Sequence, residues 1–96
     1  MNVTVRKSFE KDAVKLPGFA QQRLALLIEE LEKATALSQI TNCKKLTGCK
    51  NAYRIRLGEY RIGFLWDKHS IDLVRVLPRK EMYRYFPYYL RDRTCS

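Results

Sequence analysis

The chain has no long apolar run, no recurrent metal-ligand spacing and almost no histidine. Each absence removes a class of function. None of its hydrophobic stretches approaches the ~18 residues a membrane helix needs, and the N-terminus lacks the apolar region of a secretion signal. The expectation is therefore a soluble, cytoplasmic protein with no membrane partner. The three cysteines, Cys43, Cys49 and Cys95, are odd in number and lack CxxC spacing. With His69 as the single histidine, they make a poor zinc or redox set and read as free thiols in a reducing compartment. No metal, cofactor or small-molecule ligand is expected. No internal repeat, low-complexity segment or linker interrupts the chain.

What the chain does have is positive charge, unevenly placed. The formal net charge is +9 over 96 residues. Residues 1–42 carry six Lys or Arg against five acids, whereas residues 43–96 carry thirteen against five. The first part is an ordinary amphipathic scaffold, and the second projects a positive field of the kind that attracts nucleic acid or an acidic protein. The length suits one domain over residues 1–96 able to bury about 60–65% of its unfolded surface, with 88–96 a basic, aromatic tail.

Asn2 to Lys7 is short and β-branched, fitting an opening strand. Ser8 is placed to cap a helix whose apolar positions Phe9, Ala13 and Leu16 follow helical spacing. Pro17-Gly18 stops it. A longer helix from about Phe19 to Leu37 sets Leu24, Leu27, Ile28, Leu31 and Ala34 on one stripe, forming an αα-hairpin with the first. Residues 38–51 read as a polar loop.

The most informative segment is YRIRLGEYRIGF, Tyr53 to Phe64. Apolar and basic residues alternate at the period of a half-buried sheet, and Gly58-Glu59 suits a type II′ hairpin turn. That turn sets Leu57 opposite Tyr60, Arg56 opposite Arg61, Ile55 opposite Ile62 and Arg54 opposite Gly63. Arg54, Arg56 and Arg61 then share one side. Facing like charges cost a strand pair roughly 0.2–1 kcal/mol, so the pattern makes sense if an anion such as a phosphate sits between them. After a second turn at Asp67 to Ser70, a strand runs from Ile71 to Leu77, pairing Trp66 with Ile71, Phe64 with Leu73 and Ile62 with Arg75. Asp72, Val74 and Val76 would extend the arginine side, which stays open. Pro78 ends the strand, and 81–86 form a helical turn. The fold expected is α+β, in the order β-α-α-β-β-β(-α), an antiparallel sheet covered on one face by the αα-hairpin.

Two segments, KKLTGCKNAYRIRLGEYRIGF and RVLPRKEMYRYFP, resemble the RelE/ParE superfamily of bacterial toxin–antitoxin systems, and more closely its RelE branch of ribosome-dependent messenger-RNA endonucleases. The resemblance runs over nearly the whole chain. It implies a metal-independent toxin that enters the ribosomal decoding site and cuts the exposed codon, the ribose 2′-hydroxyl attacking the neighbouring phosphate to leave a 2′,3′-cyclic phosphate and a 5′-hydroxyl. Positions matching the family's functional residues are Arg54, Arg56, Arg61, Arg79 and Tyr83. The same resemblance implies a cognate antitoxin that lays an amphipathic helix over the protein, with ribosome and messenger RNA as the other partners.

The residues themselves support part of that chemistry. Arginine forks pair bidentately with phosphate and stay charged, which suits Arg61 and Arg79 to stabilising a phosphorane. Arginine is a poor proton acceptor for the same reason, so rate enhancement here rests on positioning and electrostatics. Glu81, two residues after Arg79, is the titratable candidate for the base, against a plainer role as an early-helix acid. Glu59 reads as a solvated turn residue and His69 lies at the far end of the strands. Pro78 stands where many relatives have histidine. Tyr83 and Tyr85 are candidates to stack on a base, and Lys44, Lys45, Lys50, Lys80 and Arg84 to contact phosphate. Two other readings remain: a gyrase-poisoning toxin on the same scaffold, and an RNA-binding domain that has lost activity. Arg61 and Arg79 lie off the apolar face, so replacing either by alanine is expected to remove toxicity and leave the fold intact.

Overall fold

The structure, a computed structural model, describes residues 1–46 and 51–82. It contains β1 (Asn2–Val5), α1 (Lys7–Ala13), α2 (Gly18–Lys33), a 3-10 turn (Leu37–Gln39), β2 (Cys43–Lys45), β3 (Ala52–Leu57), β4 (Tyr60–Asp67) and β5 (Ser70–Pro78). The strands form one sheet in the order β1-β5-β4-β3-β2. Strands β3 to β5 pair antiparallel as expected, and β2 adds antiparallel to β3. The opening strand departs from that pattern, joining the edge of the sheet parallel to β5. The two helices between it and β2 carry the chain across one face, as part of the long crossover that a parallel pair requires.

Helices and sheet meet through a core of Phe9, Leu16, Ala20, Leu24 and Leu31 against Ile55, Ile62, Phe64, Ile71, Leu73 and Val76. The α2 stripe points inward as its spacing predicts: Leu24, Leu31 and Ala34 are buried, and Leu27 and Ile28 pack against them half-buried. Truncating Phe64 to alanine would cost about 3–5 kcal/mol through lost transfer energy and the cavity left behind.

Four expectations need correction. Ser8 does not cap α1; its hydroxyl donates to the Val74 carbonyl at 2.6 Å, and the N-cap position falls to Arg6 with no side-chain bond. The second helix ends at Lys33, not Leu37. Ala34 turns extended, and the Thr35 amide goes to the Gln39 side chain at 2.9 Å, so the backbone finds its partner locally and leaves the helix. Within the expected loop, Cys43–Lys45 pairs with β3 as an edge strand. Three residues, two of them lysine, are too few to show a period.

The fourth correction bears on the sheet faces. Pairing of β4 with β5 follows the expected register from Trp66–Ile71 to Phe64–Leu73, then shifts, so that Gly63 meets Arg75 and Ile62 meets Val76. Val74 is the extra residue of a β-bulge. Parity flips beyond it, and Val76 joins the helix-side core instead of the arginine side. The bulge is held by Asp12, which is 8% exposed. Its carboxylate takes Arg75 Nε and Nη2 at 2.6 and 3.0 Å and the Val76 amide at 3.2 Å. Nor is the arginine side wholly open. Ala52, Leu65, Val74, Leu77 and Met82 form a second apolar cluster there, with Leu46 against it, and only the portion nearest the hairpin turn carries the cations.

Candidate nucleic-acid interface

The β3–β4 turn organises the site. Gly58 takes φ 60 and Glu59 does not share the left-handed region, the pattern of a type II′ turn. Its register is the one the sequence predicts, including Arg56 opposite Arg61. The two cations avoid each other because they point differently. Arg56 is exposed, whereas Arg61 is only 8% exposed and folds its Nη1 onto the turn, donating to the carbonyls of Gly58 at 2.8 Å and Tyr60 at 2.9 Å.

Arg79 reaches the same turn through its backbone: its amide donates to the Glu59 carbonyl at 3.0 Å. The residue before it, Pro78, pairs with Tyr60. Among the described residues β1 covers β5 only from Ser70 to Leu73, so Pro78 lies beyond the paired stretch of that edge, a position where its missing N–H is tolerated. Helical geometry begins at residue 79.

On the other flank, Asn42 adopts φ 58, a conformation asparagine tolerates better than most residues, and its carbonyl accepts the Arg56 amide at 3.1 Å. This folds the chain onto β3 and places Lys44 beside Arg54. Lys45 pairs with Tyr53, so it lies on the helix-covered face of the sheet, apart from Lys44.

The result is two adjoining cavities. One, of about 340 Å³, is lined by Arg54, Arg56, Arg61 and Arg79 with Asn42, Cys43, Lys44 and Ile40. The other, of about 460 Å³, shares Arg56, Arg61 and Arg79 and adds Glu59, Tyr60, Pro78 and Lys80. Four arginines from two strands of the hairpin and from the residue after β5 therefore face common space. Cys43 pairs with Ile55 and packs against the helix-side core, where burial pushes its thiol up to about 11 and keeps it uncharged at neutral pH.

Glu81 is exposed and absent from the lining of both cavities. Glu59, expected to face solvent only, is the carboxylate that the second cavity contains. His69 sits in the β4–β5 turn, roughly 20 Å from the hairpin turn along an eight-residue strand. There the Asp67 carboxylate accepts the amides of His69 and Ser70, both at 2.9 Å, and these bonds hold its carboxyl below the usual range. Lys50, Tyr83, Arg84 and Tyr85 lie outside the described residues. Among the described residues no three of His, Cys, Asp and Glu gather as a metal set, and no helix is long and apolar enough to cross a membrane. Sequence reasoning missed Asn42, Cys43 and Ile40 in the first cavity, and Gly58, Tyr60 and Pro78 in the second. A polar asparagine immediately before a basic strand was the available signal for Asn42.

No protein-family model matches the chain. It is 42% identical to Toxin RelE3 of Methanocaldococcus jannaschii over 88 residues, which is 91% of this chain and all of that protein. Its fold matches the toxin–antitoxin RelB–RelE complex from Methanococcus jannaschii with TM-score 0.76 at 40% identity, covering 88% of this chain and 99% of the other. It also matches the archaeal RelE–RelB complex from Pyrococcus horikoshii with TM-score 0.66 at 27% identity, covering 81% and 93%. With identity of this order across full-length relatives and the same α+β sheet beneath its arginine cluster, the chain belongs to the RelE family of toxins from toxin–antitoxin systems.

Proposed function

We propose that the protein is the toxin of a toxin–antitoxin pair and acts as an endoribonuclease on messages held in the ribosome. The observation that carries this reading is the convergence of Arg54, Arg56, Arg61 and Arg79 on one concave surface. Such a cluster is matched to a phosphodiester whose charge increases as a 2′-hydroxyl attacks it in line. Each preorganised donor aimed at developing charge is worth about 2.7–4 kcal/mol. Arg61 suits that role because its fork is already held by turn carbonyls, so little reorganisation remains when the substrate arrives. Arg79 is anchored by its backbone while its side chain stays exposed. Lys44 and Lys80 line the two cavities and fit contacts to flanking phosphate. The residues give no strong proton acceptor beyond a carboxylate, and catalysis by orientation and charge is the favoured account. In the cell an antitoxin, as in the related RelB–RelE complexes, would occupy or distort the basic face.

Expression of the protein followed by mapping of messenger 5′ ends tests the reading. Codon-phased cuts that require translation are expected from the wild type. Retained cutting by an Arg54→Ala, Arg79→Ala double variant would count decisively against it. Blocked supercoiling with intact messages would instead indicate the gyrase-poisoning activity of the related branch.

A further inference from the structure

We propose a second ribonucleotide subsite on the opposite flank of the hairpin, holding the neighbour of the nucleotide whose phosphate the arginines grip; it rests on the RNA reading above. A cavity of about 540 Å³ lies between the start of α2 and the hairpin turn, with Phe19 and Arg23 on one side and Arg56, Glu59 and Tyr60 on the other. Arg56 also lines both cavities of the arginine cluster, and Gly58, Glu59 and Tyr60 are shared with the larger of them, so the new space continues from the first around the hairpin turn.

Its chemistry matches the three parts of a ribonucleotide. Phe19 is 63% exposed although its neighbour Ala20 is in the core, leaving a flat ring available for a base to stack on. Arg23 reaches the hairpin: its Nη1 lies 3.4 Å from where a Cβ on Gly58 would be. Among the described residues neither Arg23 nor Arg56 has an ion pair or a side-chain hydrogen bond, so both forks are available to phosphate. The Glu59 carboxylate and the Tyr60 phenol can accept from ribose hydroxyls, the groups that mark RNA. An acidic peptide would engage the two arginines equally, but its carboxylates offer Glu59 no hydroxyl donor.

The test uses the full chain and a labelled, unmodified hexaribonucleotide without ribosomes, where the proposed activity leaves it whole, with binding followed by fluorescence anisotropy across a salt series. Phe19→Ala should weaken binding about fivefold or more, the value of one stacked base, with the salt slope unchanged. Arg23→Ala should lower the slope of log affinity against log salt by about 0.7, one phosphate contact to a single strand. A nucleoside 3′,5′-bisphosphate, which has no neighbouring nucleotide, should bind both variants as it binds the wild type. Melting temperatures should not move, since both side chains are exposed. Unchanged hexamer affinity in Phe19→Ala, or equal losses on hexamer and bisphosphate, overturns the subsite. So does a loss of antitoxin binding with RNA binding intact, which would make the cavity a protein-docking surface. None of these readouts needs cleavage. A wild type that shows the subsite but leaves translated messages whole would sink the nuclease and keep the inference.

Discussion

Arg61 and Arg79 stand within reach of the same cavity but are tied to the protein in different ways, and their variants should separate accordingly. Arg79→Ala removes a side chain that is exposed, while the backbone amide bond to Glu59 survives. Cleavage should fall about 10²–10³-fold, with the melting temperature unchanged in calorimetry. Arg61→Ala also strips two hydrogen bonds from the turn and leaves a hole where a buried side chain stood. It should lose activity and, in addition, about 1–3 kcal/mol of stability in urea unfolding. That corrects the simple expectation that any residue off the apolar face can be truncated without cost to the fold. Cys43 makes a third residue-scale prediction. Its thiol is held neutral by burial, up from 9.0 to about 11. A raised value in the folded state means that unfolding releases a more acidic thiol, so this contribution to stability is intact below pH 9 and is lost as pH rises towards about 11. Cys43→Ala should flatten that part of the stability–pH profile measured by urea unfolding.

At the scale of elements, the bulge in β5 depends on one carboxylate from α1. Asp12 pairs with Arg75 and caps the Val76 amide, and Ser8 takes the Val74 carbonyl, so the groups that the ladder drops are collected by the helix above. Asp12→Ala would take the carboxylate from the half-buried Arg75 guanidinium and the acceptor from the Val76 amide. A loss of about 3–5 kcal/mol is expected, read as a shift in the urea midpoint. Arg79 should then become less well placed, because β5 carries it to the hairpin turn. Cleavage by Asp12→Ala should therefore fall even at temperatures where the variant is folded by circular dichroism.

Across the whole molecule, the basic half of the sequence is also the half that builds β2 to β5, so charge and sheet coincide. Helices cover one face of that sheet, the second apolar cluster fills part of the other, and the cations are confined to what remains beside the hairpin. A field concentrated in this way should steer the protein to a polyanion. Its association rate with programmed ribosomes should fall steeply between about 50 and about 200 mM salt, as the screening length drops through about 10 Å. A rate that does not respond to salt would mean that shape, not charge, guides docking.

Local order was legible from residues alone wherever a short-range rule was sufficient. Alternation from Tyr53 to Phe64 and a glycine at the turn determined the hairpin, its register and the facing arginines, because a period of two and a two-residue loop leave no freedom in pairing. The α2 stripe followed from its spacing in the same way. Contacts between distant segments were not legible. Nothing in the β5 sequence marks Val74 as an extra residue, since the bulge exists only where Asp12 and Ser8 arrive from another element to satisfy its backbone. The parallel seat of β1, the three-residue edge strand β2 and the burial of Arg61 are of the same kind. So is the placement of Glu59 in the cavity while Glu81 stays outside. Composition and pattern decided that this chain would carry a line of guanidiniums on one side of a sheet; only tertiary packing decided which of them meet, because that depends on where the loop before β2 and the end of β5 come to rest against the turn.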